Sequence, residues 1–201
     1  RIEGKNDDER FGFALDIADM NADRVDDLII SAPFAPRDGL KRVGKVYAVF
    51  GKAGMSHGIA TYLNYNTIPM IFWGVKEDDR FGVTLAHGDI DGDKKTDLAV
   101  GSYMASHELS KQAGTVTLFY GSNVGLKEEV EVEVEDEGEK KDAEREREQA
   151  VLSVDRGFDW FGYSLAVGDL NSDGIDDLVM SSWPYLKNTK QGQISILWGE
   201  K

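Results

Sequence analysis

Phe11-Gly12-Phe13-Ala14-Leu15-Asp16-Ile17-Ala18-Asp19 returns as Phe81-Gly82-Val83-Thr84-Leu85-Ala86-His87-Gly88-Asp89, and again as Phe161-Gly162-Tyr163-Ser164-Leu165-Ala166-Val167-Gly168-Asp169. The offsets are 70 and then 80 residues. Nine aligned positions in three copies make this a repeat protein, and the repeat sets the architecture.

Working outward, each copy continues in the same order. An acidic loop is followed by a short apolar run: Leu28-Ile29-Ile30, Leu98-Ala99-Val100 or Leu178-Val179-Met180. A polar connector then leads to a second apolar segment bounded by glycine: Gly44 to Gly51, Gly114 to Gly121 and Gly192 to Gly199. Another apolar run precedes the next Phe-Gly, at Met70 to Trp73 and at Ala150 to Val154. Short runs rich in Val, Ile, Phe and Tyr and bounded by glycine read as strands. Four short antiparallel strands per repeat make a propeller blade. The expected fold is all-β, with three four-stranded antiparallel blades forming part of a β-propeller. Residues 1–10 read as the tail strand of a preceding blade plus linker, 11–74 as the first blade, 75–154 as the second and 155–201 as a third, incomplete one. Three blades are too few to close a propeller of four to eight, so the remaining blades are expected partners, and Arg1 in place of Met suggests a processed or trimmed product.

The longer second spacing locates an insertion at about 124–149. Residues 128–148 hold 12 acids and 4 bases, and so carry -8 of the chain's net -14. Val130, Val132 and Val134 alternate there with Glu, as in a solvent-facing edge strand or extended hairpin. Residues 139–149 are charged helix formers without an apolar stripe, and the segment reads as a solvated excursion or as a docking site for a basic partner. The net charge opposes nucleic-acid binding through phosphate neutralisation. No run approaches the roughly 20 apolar residues of a membrane-spanning helix. With no cysteine in the sequence, disulfides and zinc–thiolate sites are excluded.

The acidic loops are the candidate chemistry. They run from Asp19 to Asp27, Asp89 to Asp97 and Asp169 to Asp177. Side-chain oxygens recur at positions 1, 3, 5 and 9: Asp19, Asn21, Asp23 and Asp27; Asp89, Asp91, Asp93 and Asp97; Asp169, Asn171, Asp173 and Asp177. Calcium takes six to eight oxygens in a flexible geometry, and the carbonyl at position 7 (Val25, Lys95, Ile175) is expected to add one. Magnesium demands a stricter octahedron, and zinc or copper prefers imidazole or thiolate. Three calcium sites are therefore expected. Position 6 calls for a left-handed backbone. Only Gly174 suits it, whereas Arg24 and Lys94 bring strain and positive charge. The first loop, with Asn21 and Arg24, is expected to bind most weakly.

The Phe-Gly openings, the acidic loops and Ser31-Ala32-Pro33 resemble the FG-GAP repeat family, which includes integrin α propellers and the carboxy-terminal propeller of glycosylphosphatidylinositol-specific phospholipase D. Gly101-Ser102-Tyr103 and Ser181-Ser182-Trp183 match the second element only loosely. The resemblance implies a seven-bladed propeller, calcium on one face, partner contacts on the other, and an extracellular or cell-surface setting. A non-catalytic, calcium-stabilised interaction module fits best. The alternative is the accessory propeller of a phospholipase D-like hydrolase, and a third reading is a structural spacer. No catalytic constellation is evident: His57, His87 and His107 fall at unrelated repeat positions, and neither a nucleophile elbow nor a phosphate loop occurs. Phe34, Tyr103, Trp183 and Tyr185 sit in connectors that share one face, and are the candidate protein-partner contacts.

Overall fold

A computed structural model describes residues 2–53, 70–106, 110–121, 129–131, 149–153, 157–184 and 191–201. Every regular element among them is a strand. The first repeat forms β1 (Leu15–Ala18), β2 (Asp27–Ala32), β3 (Lys45–Val49) and β4 (Met70–Trp73). The second forms β5 (Thr84–Gly88), β6 (Asp97–Ser102), β7 (Thr115–Phe119), β8 (Glu129–Glu131) and β9 (Gln149–Ser153). The third forms β10 (Leu165–Gly168), β11 (Asp177–Ser182) and β12 (Gln193–Leu197).

The sheets run β1-β2-β3-β4-β8, β5-β6-β7-β9 and β10-β11-β12. Within each repeat all neighbours are antiparallel, and the registers coincide: Leu15 faces Ile30, Leu85 faces Val100, and Leu165 faces Met180. This is a partial all-β propeller with its blades laid out one per repeat. Two details depart from three equal four-stranded sheets. The third sheet has three strands among the described residues, and the first gains β8, which joins β4 in parallel as the outermost strand. Val130 thus lies in an edge strand, whereas Val132, Val134 and the charged run at 139–148 lie outside the described residues. The strand before the third Phe-Gly begins at Gln149; Val154 also falls outside the described residues.

Strand alternation places the core between blades. From β2, Ile29 joins Val46, Ala48, Met70 and Phe72 against Phe81, Leu98, Val100 and Phe119 of the second repeat. Phe119 holds both Phe72 and Phe81 in ring contact, with centroids 4.8 and 6.1 Å apart. The second interface repeats the arrangement with Ala99, Val116 and Leu118 against Phe161, Leu178 and Met180. Phe81 and Phe161 are therefore inter-blade plugs, whereas Phe11 packs on Tyr47 of its own blade. The backbones of the two plugs are tied as well: Phe81 N–H donates to Val43 O at 3.0 Å and Phe161 N–H to Ala113 O at 2.8 Å. Close approach at these ties requires Gly44 and Gly114, with φ of 89° and 85°, since a Cβ at either would lie within 2.5 Å of the phenylalanine backbone.

The tryptophans do not all serve as strand packing. Only Trp73 lies in a strand; Trp160 and Trp183 lie in the turns flanking β10 and β11, and Trp198 follows β12. The space between blades is filled by Ala, Val, Ile, Leu, Met and Phe side chains. No helix among the described residues is long and apolar enough to cross a membrane.

Candidate functional site

Each acidic loop joins the first and second strands of its blade and closes on its own side chains. Asp19 Oδ2 accepts Arg24 N–H at 2.7 Å, Asp89 Oδ2 accepts Lys94 N–H at 3.0 Å, and Asp169 Oδ2 accepts Gly174 N–H at 2.9 Å. The position-5 carboxylates of Asp23, Asp93 and Asp173 accept the N–H two residues on, at 2.8, 2.8 and 2.9 Å. Tight coiling of this kind needs left-handed backbone. Arg24 and Lys94 adopt φ of 69° and 70° at position 6, beside Gly174 at 86°. Position 4 is left-handed too, in Ala22, Gly92 and Ser172, of which only Gly92 signals it in the sequence.

The position-9 aspartates do something else as well. Asp27, Asp97 and Asp177 are 1%, 0% and 0% exposed. One oxygen of each accepts the N–H of position 2, from Met20, Ile90 or Leu170, at 2.8–2.9 Å. The other accepts the glycine N–H that ends the third strand, from Gly51, Gly121 or Gly199, at 2.8–2.9 Å. Each such carboxylate pins the loop to the blade. Burial pushes Asp97 up to about 6 despite those two bonds, and burial also raises Asp27 and Asp91.

In the second loop, carboxylate oxygens of Asp89, Asp91 and Asp97 all lie within 4.8 Å of one another. Asp89 Oδ1 is buried with no hydrogen-bond partner among the described residues. An orphaned anionic oxygen beside two more carboxylates fits a hard cation and is costly without one. Asp93 is held aside by Lys95 Nζ, an ion pair within the loop. His87 is half-buried on β5 and bonds Asp16 of the first blade at 2.9 Å, which raises its pKa. That is a packing role; His57 and His107 lie outside the described residues.

At the opposite end of the strands a band of aromatic and cationic groups crosses all three blades. The Arg10 guanidinium lies 3.9 Å from the Phe34 ring centroid, and that of Arg80 lies 4.9 Å from it. Arg80 Nη1 also donates to Tyr103 Oη at 3.4 Å. Tyr103 packs on Trp160 and Tyr163 at 5.1 and 5.7 Å, Trp160 stacks on Tyr163 at 6.2 Å, and Tyr163 meets Trp183 at 6.4 Å. Tyr163 and Trp183 are 46% and 61% exposed. Three of the four expected contact residues (Phe34, Tyr103 and Trp183) are thus brought into one band; Tyr185 is outside the described residues. Arg10, Arg80, Trp160 and Tyr163 were missed. The signal existed, because Arg10, Arg80 and Trp160 all immediately precede a Phe-Gly.

Comparison with known proteins matches three stretches, 11–49, 81–119 and 161–197, to the FG-GAP repeat. The chain is 32% identical to phosphatidylinositol-glycan-specific phospholipase D of Homo sapiens over 82% of its own length and 17% of that protein's. Against the Bos taurus protein of the same name it is 31% identical, covering 100% of this chain and 21% of the relative. It is 30% identical to integrin alpha-5 of Xenopus laevis over 86% of its length and 15% of that protein's. The chain spans about a fifth of the length of these relatives.

Proposed function

Because this chain belongs to the FG-GAP repeat family, we propose that it is a non-catalytic, calcium-stabilised propeller module that presents a protein-binding face at the cell surface or outside the cell. The single observation that carries the metal reading is the buried, unpartnered Asp89 Oδ1 beside Asp91 and Asp97, in a loop that recurs three times. Calcium would be held by side chains at positions 1, 3 and 5, with an oxygen of position 9 and the position-7 carbonyl completing the set. Its contribution is charge neutralisation, which lets crowded carboxylates sit at the blade end without mutual repulsion. The exposed aromatic band supports the partner reading, since aromatic and Arg side chains dominate binding hot spots.

Calorimetric calcium titration of the intact protein, paired with melting in calcium and in chelator, tests this reading. Uptake of calcium with a higher melting temperature is expected, because binding to the native state alone stabilises by RT ln(1 + [L]/Kd). No uptake at millimolar calcium would end it. A second reading draws on the relatives named as phospholipases: the same module would be the accessory propeller of a hydrolase that acts on phosphatidylinositol-glycan. A catalytic domain elsewhere in the full-length sequence would favour that reading, and a membrane-spanning tail would favour adhesion.

A further inference from the structure

We propose that the second and third acidic loops take up cations as a coupled pair, with Asp176 as the positioning residue that links them; this rests on the calcium reading above. Asp176 stands at position 8 of the third loop, between the expected carbonyl ligand Ile175 and the buried Asp177. Its backbone N–H donates to Asp89 O at 2.9 Å. Its carboxylate returns the contact, with Oδ2 accepting Asp89 N–H at 3.0 Å. Both polar groups of the Asp89 peptide are therefore held by one residue of the neighbouring blade. Asp89 is position 1 of the second loop and carries the orphaned oxygen.

Room for this clasp is specific. A Cβ on Gly88 would come 2.7 Å from Asp176 Oδ2 and 3.2 Å from Asp176 Cβ. At the boundary between the first and second blades the equivalent residues are Ala18 and Thr96, and no hydrogen bond joins Thr96 to Asp19. A second tie strengthens the later boundary: Glu200 N–H donates to Ile90 O at 3.3 Å, next to Gly199, which donates to Asp177 Oδ1 at 2.9 Å. The third repeat also packs on the second loop, where Ile175 and Lys201 crowd Gly92; Asp89 and Asp91 are partly shielded, as Asp19 and Asn21 are, while Asp169 and Asn171 stay exposed.

The consequence is directional. Asp177 already anchors one side of Asp176, and a cation that takes Ile175 O fixes the other, which then fixes Asp89 for the second loop. Ordering already supplied by the third site need not be supplied again at the second, and linkage makes the effect reciprocal. The first loop lacks the clasp and binds independently.

The test is calcium titration of the intact protein and of variants. Silencing the third loop with Asp173→Ala is expected to weaken the second site by about fivefold or more, the lower end of common coupling factors. Silencing the first with Asp23→Ala is expected to leave the second site unchanged. Asp176→Ala keeps every ligand side chain yet should weaken the second site to a similar degree, and Asp176→Asn should recover it, since an amide oxygen still accepts the Asp89 N–H. Unfolding midpoints in chelator establish that each variant folds. Should Asp176→Ala fail to fold, Asp173→Ala decides, because that side chain lies on the exposed loop rim. Calcium uptake with second-site affinity unmoved by Asp173→Ala overturns the coupling alone. Absence of uptake at every loop overturns the calcium reading itself.

Discussion

Replacing Asp97 by alanine is expected to destabilise the protein with or without calcium, whereas replacing Asp91 is expected to matter only when calcium is present. Asp97 is fully buried, and its two oxygens hold the N–H groups of Ile90 and Gly121, each at 2.8 Å. Alanine leaves both donors unpaired in the blade end. A buried donor without a partner costs about 1–3 kcal/mol, so two give about 2–6 kcal/mol. The carboxylate's own burial, which pushes Asp97 up to about 6, is relieved by its removal and offsets part of that cost. Since that offset is at most about 3 kcal/mol, about 1–3 kcal/mol should remain. Asp91 differs: its Oδ1 accepts only the nearby Asp93 N–H, at 3.1 Å, within an exposed turn. Removing it in chelator takes away one of several crowded negative charges and should change stability by less than about 1 kcal/mol. In calcium the same variant should forfeit the second loop's share of the cation's stabilisation. Denaturant unfolding followed by tryptophan fluorescence, run in chelator and in millimolar calcium, separates the two residues. A result with Asp97→Ala within about 0.5 kcal/mol of wild type in chelator would refute the anchoring role given to the ninth position beside its part as a ligand.

Arg24→Gly should leave stability in chelator nearly unchanged, because relief of about 1 kcal/mol of left-handed strain at φ 69° is matched by glycine's unfolded-state entropy. Its calcium affinity at the first loop should rise a few-fold through loss of the guanidinium, which titration would register. Asp79 is raised to about 6 by burial, above its ordinary 3.8, so its contribution favours the fold below about pH 4 and is lost as pH rises through 6. Asp79→Asn should flatten that window and gain at most about 3 kcal/mol at pH 7, read from unfolding free energies across pH 4–7. Gly114→Ala should cost 2 kcal/mol or more by thermal melting, since the added methyl meets the Phe161 backbone at about 2.1–2.9 Å.

Legibility in this chain follows what repeats. The strands, their order and the acidic loops recur at offsets of 70 and 80, and the registers of β1–β2, β5–β6 and β10–β11 agree residue for residue. Oxygen spacing at positions 1, 3, 5 and 9 was equally visible. The double backbone clamp by Asp27, Asp97 and Asp177 was not, because an aspartate that only ligates and one that also anchors look alike in a list of acids. Burial separates them, and burial was readable from the apolar run that begins at the very next residue, Leu28, Leu98 or Leu178.

What the repeat hides is the contact made between copies by residues that differ at one shared position. Arg10, Arg80 and Trp160 align, and all three adopt left-handed φ, of 56°, 56° and 47°. That backbone throws each side chain onto the end of the blades away from the acidic loops, beside the connector aromatics. Two guanidiniums lie over Phe34, and one indole contacts both Tyr103 and Tyr163, so a single column of the repeat writes a graded surface from cationic to aromatic. The same holds at the metal end, where the column of Asp26, Thr96 and Asp176 includes a clasp onto the neighbouring loop at the third blade and none at the second. Equivalent positions therefore build the scaffold through their likeness, and individual sites arise where one copy departs from the others against its neighbour.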